Sequence, residues 1–99
     1  MGRYDIATDL FHKKDFDGAI QQFRKEIVNK KKHNKGEGIP ISHGMIALCY
    51  EQLQDQKSSV REYELAIASG IATYGEEDRR MARIYFGFSR MQEKQGLWA

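Results

Sequence analysis

The sequence of 99 residues contains one cysteine, one proline and no long hydrophobic run. Because a single cysteine cannot form an intramolecular disulfide, Cys49 favours a reducing compartment over a secreted, disulfide-stapled domain. No apolar segment approaches the roughly 20 residues that cross a bilayer, and the first residues lack the pattern of a signal peptide. We therefore expect one small soluble domain in the cytoplasm.

Patterns that would indicate catalysis or metal binding are also missing. The three histidines, His12, His33 and His43, show no metal-ligand spacing with one another or with acidic residues. Cys49 follows His43 by six residues, a separation that places them on different faces of a helix and excludes a local nucleophile–base pair. The acidic run 76–78 is explained by the first turn of a helix. We expect no enzyme activity, no cofactor and no metal.

Apolar residues instead recur at intervals of three and four, which is the spacing of amphipathic helices. The pattern predicts five helices: residues 3–13, a helix capped by Asp15 and running to about 32, about 40–54, 60–75, and a fifth from 76 that ends at Gly96. The expected core residues are Ile6, Ala7, Leu10, Phe11, Phe16, Ala19, Ile20, Phe23, Ile27, Ile46, Ala47, Tyr50, Leu53, Val60, Tyr63, Ala66, Ile67, Met81, Ile84, Tyr85, Phe88 and Met91. The fold class is therefore all-α.

Two stretches of the chain repeat each other at an offset of 40 residues. The segment "DFDGAIQQFRKEI" (15–27) aligns with "DQKSSVREYELAI" (55–67), so that Phe23 matches Tyr63. A further copy begins in "IYFGFSRMQEKQGLW". Repeated helix pairs indicate a solenoid, in which each pair buries its faces against its neighbours. We expect a single domain over 1–99, with repeats at about 3–36 and 40–75 and a partial repeat at 76–99.

At these residues the chain resembles the tetratricopeptide repeat family. The residues that match its small-and-large pattern are Ala7, Leu10, Phe16, Ala19 and Phe23 in the first repeat and Ala47, Tyr50, Tyr63 and Ala66 in the second. Lys57 and Ser59 depart from that pattern. The family's usual period is 34 residues, so the offset of 40 is similar to the longer repeats of kinesin light chains and spindle-orientation scaffolds.

The resemblance implies a concave groove in which the first helices of each repeat bind a peptide. The corresponding positions here are Tyr4, Thr8, Phe11, Met45, Leu48, Gln52, Arg83, Phe86 and Arg90. The carboxylate clamp of the family's chaperone-binding members falls on Tyr4, Thr8, Met45 and Gly87, which cannot supply it, and only Arg83 nearby is cationic. An apolar groove with Arg83 and Arg90 at one end fits an amphipathic segment that carries acidic residues. The alternative is that these apolar groups only pack the short solenoid.

The end of the chain suggests a second surface. Leu97, Trp98 and Ala99 are expected to begin another helix, but the sequence stops there. Without that helix, the unpaired side of the fifth helix would expose Tyr85, Phe86, Phe88 and Trp98. Three explanations stay open: the sequence is part of a longer repeat array, the face forms a homodimer, or a partner covers it.

The basic segment 24–35 is the basis of an alternative hypothesis about function. Between residues 24 and 35 six basic residues stand against the single acid Glu26, namely Arg24, Lys25, Lys30, Lys31, Lys32 and Lys35. Cations near a helix C-terminus complement its dipole, so a solvated helix end explains them. A nucleic acid or an acidic partner is the alternative ligand. The leading hypothesis is a non-catalytic protein-interaction module, and the rival is a small regulatory protein that acts through this segment.

Overall fold

The computed structural model describes the backbone of residues 5–33 and 36–98, and within these all side chains except those of Asp5, Leu97 and Trp98. The helices are α1 (Asp5–His12), α2 (Phe16–Lys32), α3 (Ile39–Gln52), α4 (Gln56–Tyr74) and α5 (Arg80–Trp98), with one turn of 3₁₀ helix at Gly36–Gly38 before α3. The described residues contain no strand. The prediction of a small all-α helical-repeat fold with five helices is confirmed.

The helices pack in chain order, each against the next, and the molecule measures 41 × 32 × 19 Å. The core is correspondingly divided into three clusters. The first joins α1, α2 and α3 around Ala19, Phe23 and Ile46. The second joins α3, α4 and α5, and the third joins α4 to α5 around Met81 and Ile84. Nearest-neighbour packing of this kind is what a solenoid requires.

Two turns of the chain, 40 residues apart, have the same backbone geometry. Lys14 and Gln54 both adopt positive φ, at 66° and 63°, at the ends of α1 and α3. In each turn the next residue, Asp15 or Asp55, donates its backbone N–H to the carbonyl five residues earlier, at 2.8 and 2.9 Å. This is the Schellman arrangement that ends many helices. The same aspartates then cap α2 and α4 by accepting N–H bonds from Gly18 and Ser58. The turns thus repeat at the offset seen in the sequence.

Small residues allow the helices to approach one another closely. Ala19 and Ala66 have no exposed surface. A Cβ atom at Gly87 of α5 would lie 2.5 Å from the Tyr63 hydroxyl oxygen, and one at Gly70 of α4 would clash with the sulfur of Met81. Glycine is therefore required sterically at Gly87, where the rigid Tyr63 ring leaves no room, whereas a larger residue at Gly70 would require the flexible Met81 side chain to shift.

The structure corrects the predicted bounds of two helices. The polar stretch before Val60 is helical, because Asp55 caps α4 and the helix begins at Gln56. The fifth helix begins at Arg80 rather than within the acidic run, and the Asp78 carboxylate accepts the Arg80 backbone N–H at 2.8 Å. The predicted stop at Gly96 is wrong, since α5 continues to Trp98. An isolated glycine costs a helix only about 1 kcal/mol, so it does not have to end one.

The predicted core positions are buried or half-buried except for Ile6 and Leu53, which are exposed. Ile6 is 57% exposed, whereas its equivalent Ile46 is fully buried. The difference arises because α3 packs between α2 and α4, while in the described part of the chain α1 packs mainly against α2. Leu53 is 40% exposed because it lies at the C-terminal cap of α3, beyond the contact with α4. No helix in the described residues is long and apolar enough to cross a membrane.

Candidate functional site

A half-open groove lies between α3 and α5, with α4 contributing to its floor. It encloses about 160 Å³ and is lined by Ile41, Gly44, Met45, Leu48, Tyr63, Arg83, Ile84, Phe86, Gly87 and Arg90. The residues from α3 and from α5 each follow the spacing of three and four that puts side chains on one helical face. The close approach at Gly87 brings the Tyr63 ring beneath the groove.

The groove presents apolar side chains to solvent. Phe86 is 68% exposed and Ile41 is 44% exposed, although both are large hydrophobic residues. Met45 and Leu48 follow Ile41 along the wall formed by α3, and both are half-buried. Exposed apolar groups that share a concavity are typical of a binding surface.

The two arginines in this groove differ in their electrostatic state. Arg90 donates two hydrogen bonds to the Glu51 carboxylate, at 2.7 and 3.0 Å, and Lys94 donates a third at 3.2 Å. The Arg90 hydrogen bond is the main cause that lowers the pKa of Glu51, so the charge of Arg90 is compensated within the protein. Arg83 is exposed and forms no salt bridge in the described part of the chain. Among the described residues of the groove, Arg83 is therefore the cation without an acidic partner.

The structure brings together five of the nine residues that were predicted to line a groove. Met45, Leu48, Arg83, Phe86 and Arg90 all line it. Gln52 is exposed near the end of α3 and does not contribute. The binding role of all nine residues stays a prediction.

The predicted positions on α1 lie apart from this groove. Thr8 is half-buried, and the Phe11 ring packs edge-on against Phe16 with centroids 5.5 Å apart. Phe11 is thereby used for packing the first core cluster. Tyr4 lies outside the described residues.

Several groove residues were missed by the sequence reasoning. Ile41 precedes Met45 and Leu48 at helical spacing, so the periodicity of α3 contains the signal that identifies it. Gly44 lies on the same face. Tyr63 carries no such signal, because it reaches the groove from α4 through the gap that Gly87 leaves.

Two of the residues predicted for a terminal interface of α5 also pack within the fold, and their interface role stays a prediction. Tyr85 and Phe88 are half-buried and pack against the clusters that join α5 to α3 and α4, so they are largely engaged within the fold. Phe88 shares the helical face of the buried residues Met81, Ile84 and Met91, and Tyr85 lies at its edge. The Trp98 side chain lies outside the described residues. Among the α5 side chains that the structure describes, Phe86 is the exposed aromatic residue.

The predicted basic patch is divided between internal contacts and solvent. Arg24 donates hydrogen bonds to Glu62, at 3.0 Å, and to the Tyr50 hydroxyl, at 3.2 Å. Lys30 donates to the Ser42 hydroxyl at 3.4 Å. These two cations therefore hold α2 against α3 and α4. Lys25, Lys31 and Lys32 are exposed and form no salt bridge in the described part of the chain, and Lys35 lies outside the described residues.

Glu62 connects three helices from an almost fully buried position. Its carboxylate accepts Arg24 of α2 and lies 2.8 Å from Nδ1 of His43 on α3. Burial opposes ionisation of this carboxyl group, but the hydrogen bonds from His43 and Arg24 outweigh it and lower the pKa of Glu62. The carboxylate therefore serves as a structural tie between the helices.

Reactive groups are not gathered at the groove. Cys49 is fully buried in the first core cluster, and burial raises its pKa to about 12. Such a thiol is protonated at neutral pH and is a poor nucleophile. Within the described residues, no three His, Cys, Asp or Glu side chains are placed to hold a metal ion.

Comparison with known proteins gives one distant likeness. Over 65 residues, 66% of this chain, the sequence is 28% identical to response regulator aspartate phosphatase I of Bacillus subtilis (strain 168). The aligned region is 17% of that protein, so the chain spans about a sixth of its relative's length. No family model and no solved structure matches the chain.

Proposed function

We propose that this chain is a non-catalytic protein-interaction module that binds a segment of another protein in the groove between α3 and α5. The observation that carries the proposal is the 68% exposure of Phe86, a large aromatic residue, within a concavity whose other wall exposes Ile41. Burying two such side chains under a ligand would supply a few kcal/mol, at about 25 cal/mol per Å² of apolar surface.

The distant relative gives independent support. Its name describes a protein that acts on a response regulator, which is itself a protein. A short helical-repeat chain that resembles tetratricopeptide repeats and shares sequence with such a protein is consistent with a role in binding proteins.

The chemistry of the groove favours a ligand of a particular general form. Its apolar wall fits the hydrophobic side of an amphipathic helix or extended peptide. Arg83 favours an acidic residue at one end of that segment, whereas Arg90 already has Glu51 as its partner. We propose a peptide with two neighbouring apolar anchors and one carboxylate.

A peptide-display selection tests this function. A random peptide library would be selected against the chain, and the enriched peptides would be measured against Phe86→Glu and Val28→Glu. Val28 is a matched control, because it is 66% exposed and lies on α2 away from the groove. We expect Phe86→Glu to abolish binding and Val28→Glu to retain it. Enrichment of no peptide, or equal loss in both variants, would refute the proposal.

The other surfaces support a function less strongly. Two cations of the basic segment are held in contacts between helices, which leaves Lys25, Lys31 and Lys32 as a solvated helix end. A homodimer through α5 would have to cover Phe86, and would then compete with the ligand of the groove. We therefore favour the groove over binding of nucleic acid or another acidic ligand.

A further inference from the structure

The outward face of α4 carries a group of exposed apolar residues with exposed Glu64 beside them, although nothing in the described chain packs against this face. Leu65 and Ile71 are 43% and 42% exposed, and Ala68 and Ala72 between and beside them are exposed as well. These four residues lie on the side of the helix opposite the buried residues Tyr63, Ala66 and Gly70. The face covers about two helical turns.

The corresponding face of α2 is basic. The residues 40 positions earlier are Lys25, Val28, Lys31 and Lys32, and all four are exposed. The repeat architecture therefore places no requirement for apolar residues at these positions. The apolar character belongs to α4 itself.

Charges of opposite sign flank the apolar face of α4. Arg61 is exposed one turn before Leu65, and Glu76 and Glu77 are exposed just after the C-terminal cap Gly75. In the described part of the chain none of these three side chains forms a salt bridge. Each end of the face thus carries charge without an internal partner.

We propose that this face binds the same face of a second copy of the chain, with the two α4 helices antiparallel and the two-fold axis passing beside Ala68. An isologous contact pairs residues equally spaced about its centre. Leu65 then lies opposite Ile71 of the second copy, so apolar residues meet twice. Ala68 lies opposite itself, and its small side chain permits close approach of the helices.

The charges at the two ends of the face favour an antiparallel arrangement of the two α4 helices. With Ala68 at the centre, Arg61 lies opposite Gly75 of the second copy, next to its Glu76 and Glu77. Two such contacts form, one at each end. A parallel pair would place like charges side by side, and would therefore be disfavoured. The self-complementary pattern of charge and apolar residues is the reason to infer a second copy rather than an unrelated partner.

The dimer leaves the groove free. Leu65 and Tyr63 are separated by two residues, about 200° around the helix, so the side that would face the second copy is opposite the side that reaches the groove. The face is small. An interface under about 1,200 Å² in total is typical of weak association, so the measurement has to reach high protein concentrations.

Analytical ultracentrifugation from micromolar to near-millimolar protein is the first test. We expect the mass to rise from 11.5 kDa toward twice that value as concentration increases. Leu65→Glu should raise the dissociation constant at least about tenfold, whereas Phe86→Glu should leave it unchanged. A mass of one chain at every concentration overturns the proposal. So does a dimer that Phe86→Glu abolishes and Leu65→Glu does not, since that dimer would use the groove.

Cross-linking tests the position of the axis independently of any destabilised variant. Ala68→Cys should form a disulfide-linked dimer rapidly on mild oxidation, because residue 68 faces its own copy. Ala82→Cys, an exposed residue on α5, is the matched control and should stay monomeric. The native Cys49 is buried and does not compete. Equal cross-linking in both variants would contradict the assigned interface.

A charge swap tests the orientation. Arg61→Glu should weaken the dimer, and combining it with Glu76→Arg and Glu77→Arg should restore it. Failure of the triple variant to regain dimer would rule out the antiparallel pairing. Circular dichroism of each variant confirms that the fold is retained.

Discussion

Ala19 shows how a single side chain sets the distance between helices. It has no exposed surface and belongs to the cluster that joins α1, α2 and α3. A leucine there must displace its neighbours, so Ala19→Leu should lower the free energy of unfolding by about 1–3 kcal/mol. Urea denaturation measures the change. Lys25→Leu, at an exposed position of the same helix, is the control and should change stability little; equal midpoints for the wild type and Ala19→Leu would contradict the packing described.

The burial of Cys49 in the first core cluster can be measured by the rate at which its thiol is labelled. Because burial raises its pKa to about 12, only about one thiol in ten thousand is ionised at pH 8. We expect Ellman's reagent to label the folded protein very slowly and the urea-unfolded protein within seconds. The labelling rate in intermediate urea should follow the unfolding transition. Rapid labelling in the absence of denaturant would show that the first core cluster is open to solvent.

The turn that ends α3 includes a residue in an unfavourable backbone conformation, which costs free energy of folding. Gln54 adopts a φ of 63°, a conformation that costs a non-glycine residue about 1–2 kcal/mol. Gln54→Gly should therefore stabilise the protein by up to about 1 kcal/mol, after the entropy of the unfolded chain is included. Gln21→Gly, at an exposed position inside α2, is the control and should destabilise by about 0.5–1 kcal/mol. Thermal melts of the two variants should shift in opposite directions.

The tie between α2, α3 and α4 depends on an ionised Glu62. Its pKa is lowered in the folded state, so its contribution is present above the unfolded pKa, near 4.3, and is lost as pH falls through the lower folded value. We expect stability to drop as the pH falls below about 4.5, and Glu62→Gln to show a shallower drop. At neutral pH this variant should be less stable by about 1–3 kcal/mol, because Arg24 and His43 lose a charged acceptor. Chemical denaturation at a series of pH values measures both effects, and identical pH profiles would count against the tie.

For the molecule as a whole, local periodicity is enough to predict most of the helices. The spacing of Phe16, Ala19 and Phe23 predicts α2, and the same pattern 40 residues later predicts α4. What periodicity could not supply were contacts between distant segments. The pairing of Arg90 with Glu51 links residues 39 positions apart, so nothing local marks Arg90 as already compensated. The same holds for Tyr63, which enters the groove across Gly87. The first turn of α4 was not predicted because Ser59, a polar residue, occupies a buried position there. The match between Asp15 and Asp55 does indicate that Asp55 is the N-cap.

The architecture also predicts how the molecule opens. In the described chain α3 packs between α2 and α4, whereas α1 packs mainly against α2 and has only eight residues. In a solenoid each element is stabilised by its neighbours, so elements with one neighbour open at a lower free energy than those with two. We expect native-state hydrogen exchange to be fastest in α1, with α3 and α4 protected up to the global free energy of unfolding. Ala19→Leu should accelerate exchange in α1 and α2 more than in the half of α4 that contacts α5. Uniform acceleration along the chain would show that the five helices unfold as one unit, and that the division into three clusters has no energetic counterpart.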